Sequence, residues 1–156
     1  MLLCVISDSH GNAQQVYNII EYCKQTWGVT HFVHCGDGSS DLLNSIKSNL
    51  VDAKHCYAVK GNCDFNILQD ELFVEIEKSR ILISHGHKYN VKNSLLSLGL
   101  RAQELGANLV LFGHTHVPLN IELDGIHYIN PGSCKYEKQF ELLEIDGNHI
   151  HAVHIS

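Results

Sequence analysis

Five times along this chain a short apolar run stops at a polar loop that contains glycine, and this alternation constrains the fold more than any other feature. The runs are residues 2–6, 31–35, 55–59, 80–84 and 109–112. The loops that follow are Ser7-Asp8-Ser9-His10-Gly11-Asn12, Gly36-Asp37-Gly38, Gly61-Asn62-Cys63-Asp64, His85-Gly86-His87 and Gly113-His114-Thr115-His116. Runs this short, bounded by turn residues, read as buried strands. Helical spacing fills the gaps: Val16, Ile19, Ile20 and Cys23 share one face, residues 41–50 look helical, and residues 91–105 repeat apolar positions at Leu95, Leu98 and Ala102 before a stop at Gly106. Residues 73–76 and 80–84 pair as two strands across a tight turn.

After His116 the texture changes to alternating runs separated by Asp124-Gly125 and Asp146-Gly147-Asn148, which are hairpin signals. The chain is therefore α/β over its first two thirds and antiparallel at its end, a sheet sandwich flanked by helices. Its 156 residues suit one domain, 1–156. In such folds ligands gather beyond the carboxyl ends of the strands, where all five polar loops fall.

Composition excludes several roles. No stretch approaches the roughly 20 apolar residues of a membrane span, and the short opening run without a basic flank does not read as an export signal. The six cysteines are scattered with no C-x-x-C pair, which fits a reducing cytoplasm better than a disulfide framework. A net charge of −6 argues against long nucleic acid, because that binding needs clustered Lys and Arg. Small anionic substrates held through metal remain compatible.

Twelve histidines in 156 residues is a high count for a side chain specialised in metal binding and proton movement. Asp8 and His10 are two residues apart, as are His114 and His116, so on extended backbone each pair projects to one side. Glycines beside Asp37, Asn62, His85 and His114 allow sharp turns and close approach. Two carboxylates, an amide oxygen and four imidazoles suit Mn, Fe, Zn or Ni better than Ca or Mg. Seven such groups exceed the needs of one ion and serve two if a carboxylate bridges; two ions about 3.5 to 4 Å apart clamp a phosphate and supply a hydroxide near neutral pH.

The ordered set D-S-H, G-D-G, G-N-C-D, S-H-G-H and G-H-T-H, closed by Asn130-Pro131-Gly132-Ser133, resembles the calcineurin-like metallophosphoesterases, and within them the small single-domain bacterial and archaeal phosphodiesterases. The resemblance implies a four-layer α-β-β-α sandwich of two mixed sheets flanked by helices. It implies Asp8, His10, Asp37 and His116 on a first ion and Asp37, Asn62, His85 and His114 on a second, with Mn expected and Ni, Fe or Zn as alternatives. Asp37, Asn62 and His85 count as catalytic in this reading as well as metal-binding, Asn62 helping to orient a phosphate oxygen. The activity implied is hydrolysis of small phosphodiesters through a metal-bridging hydroxide. The alternative is a weak or inactive member that serves as a scaffold for protein partners. The small size is compatible with a homodimer that helps wall the site.

One departure bears on substrate. Many members of the superfamily have a proton-donating histidine after the metal-binding Asn, and here that residue is Cys63, a weaker acid near its usual pKa of about 8.5. Good leaving groups are therefore expected to be favoured, with His87 as an alternative acid. The other histidines have plainer readings. His31, His34 and His55 read as core or edge residues, and His149, His151 and His154 as a solvated strand face. Asp64 reads as a support for the Asn62 loop, Asn12 and Asp41 as helix caps, and the Asn130–Ser133 turn as the site's edge without chemistry.

Overall fold

A computed structural model describes residues Met1–Ser156. Two five-stranded sheets face each other. The first runs in the order β10-β9-β1-β2-β3 and is built from β1 (Leu2–Ile6), β2 (His31–His34), β3 (Cys56–Ala58), β9 (Phe140–Asp146) and β10 (His149–Ile155). The second runs β4-β5-β6-β8-β7, from β4 (Glu71–Ile76), β5 (Ser79–Ser84), β6 (Leu109–Leu111), β7 (Leu119–Leu123) and β8 (Ile126–Asn130). Strands β1, β2 and β3 run parallel to one another, β3 forming one edge, as do β5, β6 and β8, while each hairpin contributes an antiparallel edge.

Strand alternation sorts the apolar side chains into layers. Leu3 and Val5 of β1 point inward with Val33, Ile81, Ile83, Leu109, Leu111 and Ile129, and these fill the space between the sheets. Cys4 and Ile6 point the other way, against Val16, Ile19, Ile20 and Cys23 of α1 (Ala13–Trp27) and Leu42 of α2 (Ser39–Lys47). On the far side Leu82 and Val110 pack against Leu98 and Ala102 of α3 (Leu96–Leu105). This is the α-β-β-α order that the resemblance implies. Strands buried on both faces read as unbroken apolar runs, which is why 2–6 and 109–112 stood out. All six cysteines are free. No helix is long and apolar enough to cross a membrane.

The helix expected over residues 91–105 begins only at Leu96. Asn90 sits at φ 53°, its side chain accepts from the Asn93 amide at 2.8 Å, and Ser94 Oγ accepts from the Leu96 N–H at 3.3 Å. These short polar side chains compete for the backbone and hold a turn where apolar spacing suggested helix. Val91 is buried nonetheless, and a Cβ at Gly86 would stand 2.8 Å from its methyl, so the turn is packed beneath the His85 loop. Both hairpin signals hold: Asp124 and Gly125 are at φ 52° and 76°, the positive pair a tight two-residue turn requires.

Candidate metal centre

The carboxyl ends of β1, β2, β3, β5 and β6 carry Asp8 and His10, Asp37, Asn62, His85, and His114 and His116 in that order. These loops meet at one end of the sandwich. Asp8, His10 and His116 bring one donor atom each within 4.8 Å of one another, and so do Asp37, His85 and His114. Asp37 joins the two groups: its Oδ2 is 3.3 Å from His85 Nε2 and 3.9 Å from His10 Nε2. Asn62 Oδ1 stands 3.0 Å from His85 Nε2. His10 and His116 face each other at 3.3 Å between Nε2 atoms.

Three features fit a cation at this place. Asp8 is fully buried; its Oδ2 accepts from Ser7 Oγ at 2.6 Å and from the His114 N–H at 3.1 Å, yet Oδ1 makes no hydrogen bond, although His116 Nε2 lies 3.1 Å from it. A buried carboxylate oxygen without a partner costs free energy that a metal would remove. His85 Nδ1 lies 2.7 Å from the Cys35 carbonyl, which can only accept, so Nδ1 carries the proton and Nε2 turns a lone pair toward the oxygens of Asp37, Asn62 and Asp8. In the neutral ring lone pair would meet lone pair, so a positive charge belongs between them, either a proton on Nε2 shared with Asp37 or a cation in its place. The third feature is that five of the nine non-glycine residues at positive φ are Asp8, His10, Asp37, His114 and His116. Left-handed backbone at non-glycine residues is strained, and such strain collects at functional sites. The two i, i+2 pairs converge, then, but on left-handed rather than extended backbone.

Titration directions follow the same geometry. Burial pushes the Asp8 carboxyl up, against the His85 and His116 imidazoles that pull it down. Burial also opposes ionisation of Asp37, but His85 and the Cys63 N–H, which donates to Asp37 Oδ1 at 2.7 Å, outweigh it and hold the carboxyl well below its usual range. For His85 burial pulls downward and the Asp37 and Asp8 carboxylates win, raising the imidazole. Burial, with His85 beside it, lowers His114 to about 4.

The supporting side chains are more numerous than the loops alone suggested. Asp64 accepts from the N–H groups of Asp37, Gly38 and Gly61 at 2.8 to 2.9 Å and from Ser39 Oγ at 3.0 Å, so it ties the Asp37 loop as well as the Asn62 loop. Asn12 caps α1 by accepting from the Gln15 N–H at 3.1 Å. Asp41 is not a cap: it lies inside α2, and its Oδ2 accepts from Ser9 Oγ at 2.5 Å and the Gly11 N–H at 3.1 Å. His34, placed in the core as expected, also reaches this loop. Its Nδ1 accepts from the Gly36 N–H at 3.1 Å, so Nε2 carries the proton and donates to Ser9 Oγ at 2.9 Å. Burial lowers His34 to about 3, leaving it neutral. Asn130 donates to the Gly113 carbonyl at 2.9 Å and Thr115 Oγ1 at 3.0 Å, and Ser133 Oγ donates to the Asp8 carbonyl at 2.8 Å, so the Asn130–Ser133 turn holds two ligand loops in place. Gly61 and Gly113 are there for approach: a Cβ on either would collide with Asp37 Oδ1 or with Ser7 and Asp8.

The remaining histidines fall elsewhere. His31 and His55 stack at 4.3 Å between centroids, beside the amino ends of β2 and β3 and away from the ligand loops. His149 and His151 are exposed, whereas His154 points to the other face of β10 and bonds the buried Glu141 carboxylate at 2.8 Å, so the three do not form one solvated face. His87 packs 5.3 Å from His85 and 6.1 Å from His114 between centroids.

A profile of the calcineurin-like phosphoesterase superfamily domain matches residues 1–154. A probable metallophosphoesterase, YsnB of Bacillus subtilis, is 37% identical over 137 residues, covering 86% of this chain and 76% of that protein. A structure described as a novel archaeal phosphodiesterase superimposes with a TM-score of 0.77 at 25% identity, covering 99% of this chain and all of the other. Vps29 of Entamoeba histolytica, solved in complex with zinc, shares the fold with a TM-score of 0.75 at 21% identity, covering 99% and 98% of the two chains.

Proposed function

The chain belongs to the calcineurin-like phosphoesterase superfamily and is a metal-dependent phosphoesterase, and on that premise we propose that it hydrolyses small phosphodiesters with good leaving groups. The proposal assigns Asp8, His10, Asp37 and His116 to one divalent ion and Asp37, Asn62, His85 and His114 to the other, within a single domain of residues 1–156. The observation that carries it is the unpartnered Asp8 Oδ1 beside a His85 Nε2 that faces three oxygens, an arrangement completed by cations. When bound, two such ions supply a Lewis-acid clamp on phosphate and a nucleophile at neutral pH. Manganese is the ion we expect, with Ni, Fe or Zn compatible with the same donors.

The protein's own groups set the rest. Asp37 stands between the two ligand groups and is the carboxylate suited to bridging. The Cys35 carbonyl holds His85 in the tautomer that presents Nε2. Asn62 turns its oxygen to His85, which leaves its amide N–H groups to reach a phosphate oxygen; one now contacts Cys63 Sγ at 3.4 Å. Desolvation beside the Asp37 carboxylate raises the Cys63 thiol from its ordinary value, so it stays protonated and is a poor proton donor to a departing alkoxide. His87 is the less suited donor, because burial lowers its pKa from the ordinary imidazole range. Without a strong acid the leaving group must be stable on its own. The scaffold alternative is supported here by likeness of fold alone, and all seven ligand positions carry metal-binding side chains.

The experiment is hydrolysis of bis-p-nitrophenyl phosphate by metal-stripped protein, with and without added Mn. Metal-dependent release of nitrophenolate that exceeds release from the monoester supports the proposal. Absence of turnover with Mn, Ni, Fe and Zn in folded protein would move the reading to a scaffold.

A further inference from the structure

A cavity of about 410 Å³ opens beside the ligand loops. One wall is His10 and His116, and the rest comes from the segment 133–139 between β8 and β9. The backbone of this segment is anchored at several points. The Ser133 N–H donates to Gln139 Oε1 at 3.1 Å, and the Lys135 carbonyl accepts from the Asn12 side-chain amide at 2.6 Å. Gln139 in turn lies 3.3 Å from His154 Nε2, on the ring that bonds buried Glu141. Between these anchors three side chains are uncommitted. Lys135 stands 4.7 Å above the exposed Tyr136 ring, a weak contact, with no carboxylate paired to it. Tyr136 is 83% exposed, and Glu137 is exposed without a partner. A fixed backbone that offers free side chains to a cavity beside a reactive centre discriminates among ligands at little ordering cost.

The chemistry of those side chains names a ligand class. An exposed aromatic face stacks on a flat ring, and an unpaired ammonium takes an anion. A cavity in this range accommodates an organic group of nucleoside size. We infer that segment 133–139 is the specificity-determining wall of the site: Tyr136 stacks on the base of a nucleoside arm and Lys135 binds a second phosphate on that arm. The preferred substrate is then a nucleotide-like phosphodiester that carries a further phosphate. This rests on the phosphoesterase reading, which puts the reacting phosphate at the ligand loops. Glu137 shares the wall and opposes the second phosphate by its charge.

Calorimetric titration of Mn-loaded protein with thymidine 5′-phosphate and thymidine 3′,5′-bisphosphate tests this. The bisphosphate should bind roughly tenfold tighter, the worth of one charge-assisted hydrogen bond. Lys135→Met should bring the ratio to about one, Lys135→Arg should keep it, and Glu137→Gln should widen it about twofold. Tyr136→Ala should weaken both thymidine ligands about fivefold or more relative to methyl phosphate. Equal affinities in the wild type, or a preference that survives Lys135→Met, overturns the inference. Turnover of bis-p-nitrophenyl phosphate in the same preparations separates the two readings. Turnover without a Lys135-dependent ratio removes this inference alone, and the ratio without turnover removes the catalytic reading while the binding wall stands.

Discussion

Asp8, Asp37 and His85 form a buried floor to the site, whereas His10, Asn62, His114 and His116 stand partly or fully in solvent as a rim. The floor is over-determined. Asp8 Oδ2 has two donors, Asp37 Oδ1 has the Cys63 N–H, and His85 Nδ1 has the Cys35 carbonyl, so each floor side chain keeps one free atom in a fixed direction. The rim is held mainly through its backbone, by Asp41 and Ser9 under His10 and by Asn130 under His114 and His116. Floor residues thus carry both folding and chemistry, and rim residues can change chemistry at small cost to the fold.

That contrast breaks most sharply at Asp37. Asp37→Asn keeps the size and the hydrogen bond to Cys63 but removes the charge that both ligand groups share. We expect kcat/KM for bis-p-nitrophenyl phosphate to fall on the order of 10³-fold or more, about 4 kcal/mol. A loss under tenfold would mean that the floor carboxylate is not a shared ligand. Next in size is Asp64→Ala, which strips four donors of their common acceptor. Unfolding free energy should drop by about 3 kcal/mol and metal affinity 10- to 100-fold, as read by urea titration and by competition with a chelator. Unchanged metal affinity would show that loop rigidity is not what positions Asp37.

The third test uses pH. His34 is held neutral, with its pKa lowered to about 3 by burial, while in the unfolded chain it titrates near 6.5. Between these values the unfolded state binds the extra proton, so stability falls as pH drops below 6.5, by about 2 kcal/mol at pH 5. Urea unfolding of metal-free protein at pH 7.5 and pH 5 should show this loss, and His34→Asn should remove about that much of the slope. The smallest effect is expected on the rim. Cys63→His should raise turnover about tenfold on diesters with poor leaving groups and little on nitrophenyl esters; an equal gain on both would end the claim that a proton donor is missing.

The proposed ligands of floor and rim were legible as one cluster because each follows a short apolar run, buried on both faces except at the edge strand β3, and such runs mark their own ends. The support behind them was not. Asp41 looks like a helix cap from its neighbours, yet it serves a loop 30 residues away, and Ser133 and Asn130 bond across strands that only the folded sheets bring together. His34 reads as a core residue from its strand, but its link to Ser9 depends on the loop's turn. The start of α3 is not legible, because apolar spacing does not register the competition from Asn90, Asn93 and Ser94. Local periodicity reports burial, and hydrogen bonds between distant loops leave no period to read.

The central claim is that floor and rim together hold two ions. Metal content by mass spectrometry of protein reconstituted with Mn and freed of excess tests it most directly. The account predicts two ions per chain in the wild type and fewer than two in Asp37→Asn. One ion per chain in fully active wild-type protein would contradict it.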